Sequence, residues 1–375
     1  MDTFVSICSC RTYDYPAVRE RLLRVLEPLG GLDWVSPGMR VAVKVNLVAA
    51  RHPDAAATTH PALVRALCEL LIERGAEVVV GDSPGGLYTP AVLKSVYAAA
   101  GMLDIEKTGA KLNYNTAQSS AHFPDALVAH RFEYTAWLDG ADAVITFAKL
   151  KTHGFLGLTA CVKNLFGIIP GTKKPEYHYL YPEASRFADM LIDLCEFVRP
   201  KLAILDAVVG MEGNGPTSGT PRPIGALLAS RNPYALDLAA AHLIGIGDAP
   251  QLECAYRRGL APKTAAELTT TEPLEPYAVP GYKSSAPRRM ELIATKSPAV
   301  NAVVRRMLNR KPVLLPEKCV SCGICARTCP VHAITLSPKP VFDRKTCIRC
   351  FCCQEFCPKS AIEVRRGIVA RLLIR

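Results

Sequence analysis

The amino-acid sequence predicts an α/β domain, with a mostly parallel sheet covered by helices, followed by a small α+β module at the C-terminal end. Three observations support this prediction. The chain has 375 residues, which is more than one domain usually holds. Short apolar runs alternate with amphipathic stretches over residues 1–260, which is typical of strands and their covering helices. Nine of the fifteen cysteines lie between positions 319 and 357, which marks a separate module.

The elements of the large domain follow one another as strand and helix. Residues 41–48 (VAVKVNLV) are a nearly continuous apolar run that predicts a buried strand. The next helix opens with Thr and Pro61 and ends at Gly75, where a left-handed residue can stop it. The segment AEVVVGDSPGG predicts a strand that runs into a Gly-rich loop. The same patterns predict strands over 143–148, 202–209 and 225–229 and helices over 89–100, 186–198 and 234–244.

The pattern changes after residue 260. Residues 261–311 are rich in Pro, Thr and charge and predict a linker with a short adaptor, which includes a basic, helix-compatible segment at 298–310. The small module then occupies 312–365, and 366–375 form a basic tail. We expect no secretory signal, because the first residues lack a basic leader and an apolar core. No apolar run is long enough to span a bilayer, so we expect a cytoplasmic protein.

The small module contains an internal repeat with an offset of 28 residues. Each half carries the pattern CxxCxxCxxxCP, first as CVSCGICARTCP and then as CIRCFCCQEFCP. Three thiolates on a tight loop can bind three corners of one [4Fe-4S] cluster, and the fourth cysteine of each run belongs to the other cluster. Zinc is the alternative for a single CxxC pair, but two identical runs ending in Cys-Pro favour iron-sulfur clusters.

The spacing therefore predicts two [4Fe-4S] clusters with exchanged ligands. The first ligand set comprises Cys319, Cys322, Cys325 and Cys357. The second ligand set comprises Cys347, Cys350, Cys353 and Cys329. Cys352 is left over, and we expect it to pack near a cluster without binding it. The module resembles dicluster bacterial ferredoxins, which implies one-electron transfer at low potential.

Positive charge is concentrated at the C-terminal end. Residues 288–375 hold 18 Lys and Arg against 5 Asp and Glu, whereas the first 287 residues hold 27 against 29. A positive surface around the clusters would attract an acidic electron donor or acceptor, such as a ferredoxin or flavodoxin. The alternative is a solvated surface that compensates the cluster charge. No aromatic-basic recognition motif supports nucleic acid as a partner.

Polar residues of the large domain gather near predicted strand ends, where open parallel sheets bind ligands. Lys149 and Lys151 lie on the same face of one strand, an arrangement that favours an anion between them. The alternative for each lysine is simple solvation. No GxGxxG, P-loop or GxSxG motif is present, so we predict no bound NAD. The candidate residues for binding a small anionic substrate are Lys44, Asn46, His60, Asp82, Lys149 and Asn164.

A family resemblance rests on several segments taken in order. KVNLV, the TTHP helix start, VVVGDSPGG, KLKTH, VKNLFGIIPG, DAVVGMEGNGP and CIRCFCCQEFCP resemble the bacterial and archaeal family called domain of unknown function 362, fused to a dicluster ferredoxin. That family is distantly similar in fold to nickel-dependent lactate racemase, which uses Lys and His side chains around its cofactor. This resemblance implies four catalytic candidates, Lys151, His153, Lys163 and His178.

Three functional hypotheses follow. The first is a ferredoxin-coupled oxidoreductase, in which the clusters feed single electrons into an anionic substrate or a further, unassigned cofactor in the large domain. In it, lysines bind the anion and His153 or His178 moves protons. The second is a non-catalytic electron carrier whose large domain docks a partner enzyme. The third is a racemase-like or isomerising enzyme with structural clusters.

Overall fold

The computed structural model describes residues 1–284 and 310–365. Its strands are short except for three that span eleven residues each and pass through the centre of the main sheet. In chain order the strands are β1 (Phe4–Ser9), β2 (Arg40–Val45), β3 (Glu77–Gly81), β4 (Lys111–Leu112), β5 (Gln118–His122), β6 (Arg131–Thr135), β7 (Ala143–His153), β8 (Gly157–Thr159), β9 (Leu202–Glu212), β10 (Thr220–Ser230), β11 (Thr269–Thr270), β12 (Lys311–Leu314), β13 (Ile334–Ser337), β14 (Lys339–Phe342) and β15 (Ile362–Arg365).

Most of the longer helices begin with proline at one of their first positions, where its fixed backbone angle suits a helix start. The helix α7 (Pro233–Leu243) also has a side-chain cap at its N-terminus, where the side chain of Asn232 accepts hydrogen bonds from the amides of Tyr234 and Ala235. The helices are α1 (Tyr15–Leu26), α2 (Pro61–Glu73), α3 (Pro90–Ala99), α4 (Cys161–Asn164), α5 (Lys174–Leu180), α6 (Ala184–Val198), α7 (Pro233–Leu243), α8 (Pro250–Arg257), α9 (Ile324–Arg327) and α10 (Cys352–Glu355).

The main sheet has nine strands in the order β11-β1-β10-β9-β7-β2-β3-β4, with β8 paired to the end of β7. Strands β9, β7, β2, β3 and β4 run parallel, and β11 is parallel to β1. Only β10 and β8 pair antiparallel with their neighbours in this sheet, among the residues described. The predicted α/β fold with a mostly parallel sheet is therefore confirmed.

Both faces of the sheet are covered. Neighbouring residues along one strand belong to different apolar clusters: Phe147 packs in one cluster and Ala148 in another. Ile204 and Leu205 of β9 divide in the same way. Because each strand buries both faces, its sequence is an apolar run rather than an alternation of apolar and polar residues. This explains why VAVKVNLV and LAILDAVV could be identified as strands.

The C-terminal module consists of two antiparallel strand pairs, β12 with β15 and β13 with β14, and the single-turn helices α9 and α10. Its backbone repeats at the same offset of 28 residues as its cysteines. Left-handed backbone angles occur at three pairs of matching positions, namely Ser321 and Arg349, Gly323 and Phe351, and His332 and Ser360. The sequence repeat is thus a structural repeat of two cysteine-bearing loops.

Part of the predicted linker packs against the large domain. Thr269–Thr270 forms β11 at the edge of the main sheet, and the side chains of Leu274 and Tyr282 are buried in an apolar cluster. This packing could not be predicted from the sequence, because the segment is short and polar. The basic segment at 298–310 lies outside the described residues apart from Arg310, and the basic tail at 366–375 lies wholly outside them. No helix within 1–284 or 310–365 is long and apolar enough to cross a membrane.

Candidate functional site

The carboxyl ends of the neighbouring parallel strands β2, β3 and β7 carry a buried ion pair. Lys44 near the end of β2 lies 2.7 Å from a carboxylate oxygen of Asp82, which directly follows β3. The same carboxylate accepts hydrogen bonds from the amides of Leu47 and Ser83. Gly167 passes so close that a β-carbon there would overlap both Lys44 and Asp82. Because the hydrogen-bonding groups of this pair are already engaged, Lys44 and Asp82 support the site from within the protein.

Two amides connect this pair to β7. The side chain of Asn164 accepts from Lys44 and from the side-chain amide of Asn46, and donates to the carbonyl oxygen of Lys44. Asn46 in turn accepts from the Nζ atom of Lys151 at 2.5 Å, and Lys151 also donates to the carbonyl oxygen of Ala57. Burial lowers the pKa of Lys151 to about 7, with the charge of Lys163 acting in the same direction. Lys151 can thus gain or lose a proton near neutral pH.

Two of the predicted residues, Lys149 and His60, lie in a separate group. The Nζ atom of Lys149 lies 2.8 Å from both Asp206 and the hydroxyl of Tyr13. The ring of Tyr13 stacks on His60 with centroids 3.6 Å apart, and His60 caps α2. Asp206 also accepts from the Tyr13 hydroxyl and from the amide of His60. Lys149 is therefore neutralised by Asp206, although it shares a strand face with Lys151.

The C-terminal module docks on the strand-end edge and brings an acidic residue to it. The carboxylate of Glu355 in α10 lies 3.0 Å from the Nε2 atom of His153, the last residue of β7. Arg51 donates to the carbonyl oxygens of Cys357 and Pro358. A further contact joins Gln354 to the carbonyl oxygen of Asn214. The predicted residues of the large domain and the module therefore share one site.

The hydrogen bonds of His153 determine which of its ring nitrogens carries the proton. The Nδ1 atom accepts from the amides of Phe155 and Leu156, each at 3.1 Å, so the proton of the neutral ring is on Nε2. That nitrogen faces Glu355. Burial lowers the pKa of His153 despite the nearby carboxylate. Burial alone would raise the pKa of Glu355, but the contact with His153 and the charge of Lys163 lower it, so Glu355 is a carboxylate.

Like Lys151, the cations Lys163 and Lys174 of this site have no carboxylate partner among the described residues. Lys163 lies over the ring of Phe166 at 4.7 Å from its centroid, and Lys174 lies over the same ring at 5.7 Å. Lys174 also donates to the carbonyl oxygen of Ser83. Burial lowers the pKa of Lys174 to about 7 and lowers that of Lys163, which the charge of Glu355 partly offsets. These two lysines therefore bring positive charge to the site that no described carboxylate pairs with.

Buried polar atoms without a hydrogen-bond partner occur beside these lysines. In the part of the chain that the structure describes, they include Nδ1 of His178, Oγ of Ser83 and Oε1 of Gln354. The ring of His178 stacks on Phe187, and burial lowers its pKa to about 3, so it is neutral. Buried polar atoms are nearly always hydrogen-bonded, so each of these unsatisfied atoms indicates that a polar ligand or a water belongs beside it.

The structure brings the cysteines of the first predicted set together. Four of them, Cys319, Cys322, Cys325 and Cys357, line one cavity. In the other set, Cys353 lies close enough to Cys350, Cys347 and Cys329 for their charges to act on it, and the charge of Cys325 from the first set acts on it as well. No described group of three Cys, His, Asp or Glu side chains surrounds a point suited to a single metal ion. The first set encloses a cavity instead, which is the arrangement that a multi-iron cluster needs.

Backbone amides also point at the exchanged cysteines. The amide of Ala333 donates to the sulfur of Cys329 at 3.2 Å, and the amide of Ala361 donates to the sulfur of Cys357 at the same distance. Such hydrogen bonds stabilise thiolates that ligate iron-sulfur clusters. The fourth cysteine of each run is thus in an environment suited to a cluster ligand. Cys352 is buried beside Cys350, and hydrogen bonding between their side chains raises its pKa.

Two residues of the site were missed by sequence analysis. Glu355 lies in the second cysteine run, about 200 residues from His153, and its only signal is that it is the single acidic residue of that run. Lys174 belongs to a stretch with many lysines, and sequence alone did not separate it from Lys173, which pairs with Glu133 instead. Both became visible only through the docking of the module and the packing of α5.

Two family models match the chain. Residues 41–242 match the family described as domain of unknown function (DUF362). Residues 312–335 match the 4Fe-4S binding domain, which covers the first cysteine run but not the second. The first match includes all ten candidate residues of the large domain. The second shows that the C-terminal module is a 4Fe-4S binding domain.

The chain is similar to a curated protein and to a solved structure. It is 35% identical over 271 residues to the thylakoid-associated protein sll1697 of Synechocystis sp., covering 71% of this chain and 82% of that protein. The structure of the lactate racemase apoprotein from Thermoanaerobacterium thermosaccharolyticum aligns with a TM-score of 0.40 at 11% identity. That alignment covers 62% of this chain and 55% of the racemase chain.

Proposed function

Because this chain belongs to the family described as domain of unknown function (DUF362), whose name states no activity, we propose its function from the geometry of the site. The proposal is an iron-sulfur oxidoreductase. The C-terminal module passes single electrons to a small anionic substrate, or to a bound cofactor, at the carboxyl ends of β2, β3 and β7. The observation that carries this proposal is the 3.0 Å contact between Glu355 of the module and His153 of the large domain.

In this proposal both cysteine sets bind a [4Fe-4S] cluster. When bound, such clusters supply one electron at a time at low potential. The chain's own contribution is the short α10 helix, which carries Cys353 of the second set and Glu355 of the site within four residues. Cys352 of the same helix is hydrogen-bonded to Cys350, and it lies close enough to Lys163 for its charge to act on the pKa of that lysine. The second set and the anion site are therefore close neighbours.

Lys163 and Lys174 bind the anionic group of the ligand. Their ammonium groups have no carboxylate partner within the described residues, so a carboxylate or phosphate of the ligand could accept hydrogen bonds from both. Lys44 and Lys149 are already paired with Asp82 and Asp206 and hold the strand ends in place. Among the residues predicted to bind an anion, Lys44 and Lys149 thus have a positioning role.

Proton transfer and hydrogen bonding to the ligand are assigned to groups that have an atom without a hydrogen-bond partner or a pKa near neutral pH. The Nδ1 atom of His178 has no partner in the described structure, and the ring is neutral, so this atom can form a hydrogen bond with the ligand. Lys151 and Lys174, whose pKa values are lowered to about 7 by burial, can deliver a proton at neutral pH. His153 is fully engaged by two amides and Glu355, and it orients the module instead.

The proposal retains two predictions made from the sequence. The partner of the module is an acidic ferredoxin or flavodoxin, and the protein is located in the cytoplasm. The electron-carrier hypothesis and the racemase-like hypothesis remain alternatives. They differ from the oxidoreductase in a measurable way, since neither requires a small molecule to take electrons from the module.

The test uses full-length protein prepared without oxygen and photoreduced with a deazaflavin. A library of small carboxylates and phosphate esters is added, and re-oxidation is followed by the return of brown absorbance. We expect at least one compound to re-oxidise the wild type about tenfold faster than the variant Lys163→Met. The matched control is Lys94→Met, which removes an exposed lysine of α3 and should behave as the wild type.

Two outcomes would overturn the proposal. If no compound re-oxidises the protein and mass spectrometry finds no small molecule released from it, the carrier hypothesis replaces it. If a compound re-oxidises the wild type and Lys163→Met at equal rates, the strand-end site is not where the electrons leave. Racemisation of a library member with fully oxidised protein would favour the third hypothesis instead.

A further inference from the structure

A basic groove of about 560 Å³ opens on the surface of the C-terminal module. It is lined by four cations and three other residues, namely Lys311, Arg344, Lys345, Arg349, Pro312, Phe342 and Cys347. No acidic residue lines this groove among those the structure describes. The whole described module, residues 310–365, contains ten Lys and Arg against four Asp and Glu. Four of those ten cations therefore surround one opening.

The four cations are not used by the fold itself. Within residues 1–284 and 310–365, none of them forms an ion pair with an acidic side chain. The nearest acids are otherwise engaged: Asp343 accepts hydrogen bonds from the Lys345 amide and the Thr346 hydroxyl, and Glu363 pairs with Arg365. The exposed side chains of Arg344 and Lys345 thus project positive charge into solvent. Unpaired charge of one sign in a concave surface attracts partners of the opposite sign.

The groove lies beside one of the two predicted cluster-ligand sets. Cys347 lies in its wall and is the first cysteine of the second ligand set. The same set reaches the large domain through α10, where Cys353 is two residues from Glu355. A protein seated in the groove would therefore contact one side of the second set while the large domain contacts another. Electrons could enter and leave without crossing the first set.

From these observations we infer that the groove is the docking site of an acidic electron-transfer protein of the flavodoxin type, which binds with its carboxylates against Lys311, Arg344, Lys345 and Arg349. This inference rests on the proposed function, because it supplies the electrons that the large domain uses. A concave basic surface that includes a cluster ligand fits a protruding acidic protein surface better than the flat headgroup layer of a membrane. Anionic lipid is therefore an outcome of the test rather than the proposal.

The test measures binding rather than turnover. Calorimetric titration of the oxygen-free full chain with an oxidised, acidic recombinant flavodoxin gives the affinity. We expect the double variant Arg344→Glu and Lys345→Glu to bind at least about tenfold more weakly than the wild type at low salt. High salt should weaken binding of the wild type far more than that of the variant. The matched control reverses two exposed lysines of the large domain, Lys94→Glu and Lys111→Glu, and should retain wild-type affinity.

Two checks keep the result interpretable. Iron content and brown absorbance show whether the variant has kept its clusters, and if it has lost them, the single variant Lys311→Glu takes its place. Photoreduction by a deazaflavin, which needs no docking, should proceed equally in the variant and the wild type. The library experiment on Lys163→Met does not depend on docking. The proposed function can therefore fail while this inference holds, and this inference can fail while the proposed function holds.

Equal affinity of the double variant and the wild type for flavodoxin would overturn the inference. It would also be overturned if the wild type does not bind flavodoxin but binds phosphatidylglycerol vesicles through the same four cations. That result would make the groove a lipid-binding surface. Loss of flavodoxin binding in the variant alone, with intact clusters, supports the inference.

Discussion

Phe356 of the C-terminal module packs directly against Gly85 in the loop after β3, where a β-carbon would overlap the aromatic ring. The loop is therefore shaped to receive the module, and its glycine has a packing role rather than a phosphate-binding one. This contact and the contact between His153 and Glu355 lie on the same strand-end edge. Docking of the module is thus encoded in both parts of the chain.

The substitution Gly85→Ala should loosen the module. The added methyl group has to displace Phe356, and overpacking of this kind costs about 1–3 kcal/mol. We expect faster hydrogen exchange over residues 351–364, measured by mass spectrometry. Gly247→Ala is the control, because nothing lies within 4 Å of its β-carbon position. Combining Gly85→Ala with Phe356→Ala should recover part of the protection, and unchanged exchange in Gly85→Ala would contradict the docking described.

Anion binding at the strand ends should weaken as the pH rises through 7. Burial lowers the pKa values of Lys151 and Lys174 to about 7, so both are ammonium groups below that pH and neutral amines above it. At pH 8.5 about one such lysine in thirty keeps its proton, so affinity for an anion should fall by about tenfold or more between pH 6 and 8.5. Calorimetric titration with oxalate, which remains a dianion over this pH range, measures this.

The variant Lys174→Arg separates this effect from other titrations. Arginine keeps its charge at all these pH values, so the affinity of the variant should depend less on pH than that of the wild type. Lys94→Arg is the control. Oxalate affinities that are equal at pH 6 and 8.5 in the wild type would show that the charge of neither lysine contributes to anion binding.

Removal of Asp206 should destabilise the large domain strongly. The variant Asp206→Ala leaves the Lys149 ammonium buried without its carboxylate, and such a loss costs about 3–5 kcal/mol. The double variant Lys149→Met and Asp206→Leu removes both charges and should be considerably more stable than Asp206→Ala. Urea unfolding of the three proteins measures the difference. A single variant no less stable than the double variant would show that the pair carries little charge in the native state.

The two ligand sets predict different effects of two neighbouring cysteines. Wild-type protein should contain about eight irons per chain, as two [4Fe-4S] clusters require. Cys329→Ser removes one ligand of the second set and should lower the iron content toward half. Cys352→Ser changes a cysteine outside both sets and should leave the iron content unchanged. Equal losses in the two variants, measured by metal analysis of oxygen-free material, would show that the assignment of ligands is wrong.

Much of the fold could be predicted because the central strands bury both faces. VAVKVNLV and LAILDAVV are apolar runs bounded by turn residues, and they form β2 and β9 with ends shifted by a few residues. Strands with mixed or polar sequences were missed. The two residues of β11 and the exposed strand β5 have no apolar run, and tertiary pairing alone holds them in place.

The site could be predicted only in part, since sequence shows which residues are near strand ends but not which charges cancel. Lys149 and Lys151 look equivalent in FAKLKTH, yet Asp206 neutralises the first and an amide contacts the second. The partner of Lys149 comes from β9, and the acidic residue beside His153 comes from another module. Local patterns contain no information on either contact.

The position of β1 has a consequence for how the chain is made. β1 is synthesised long before its two neighbours in the sheet, β10 and β11, which end at Ser230 and Thr270. Contacts of such long sequence separation form slowly. During synthesis β1 must therefore stay unpaired on both edges until more than two hundred further residues have been added, and chaperones would find an open strand there in the meantime.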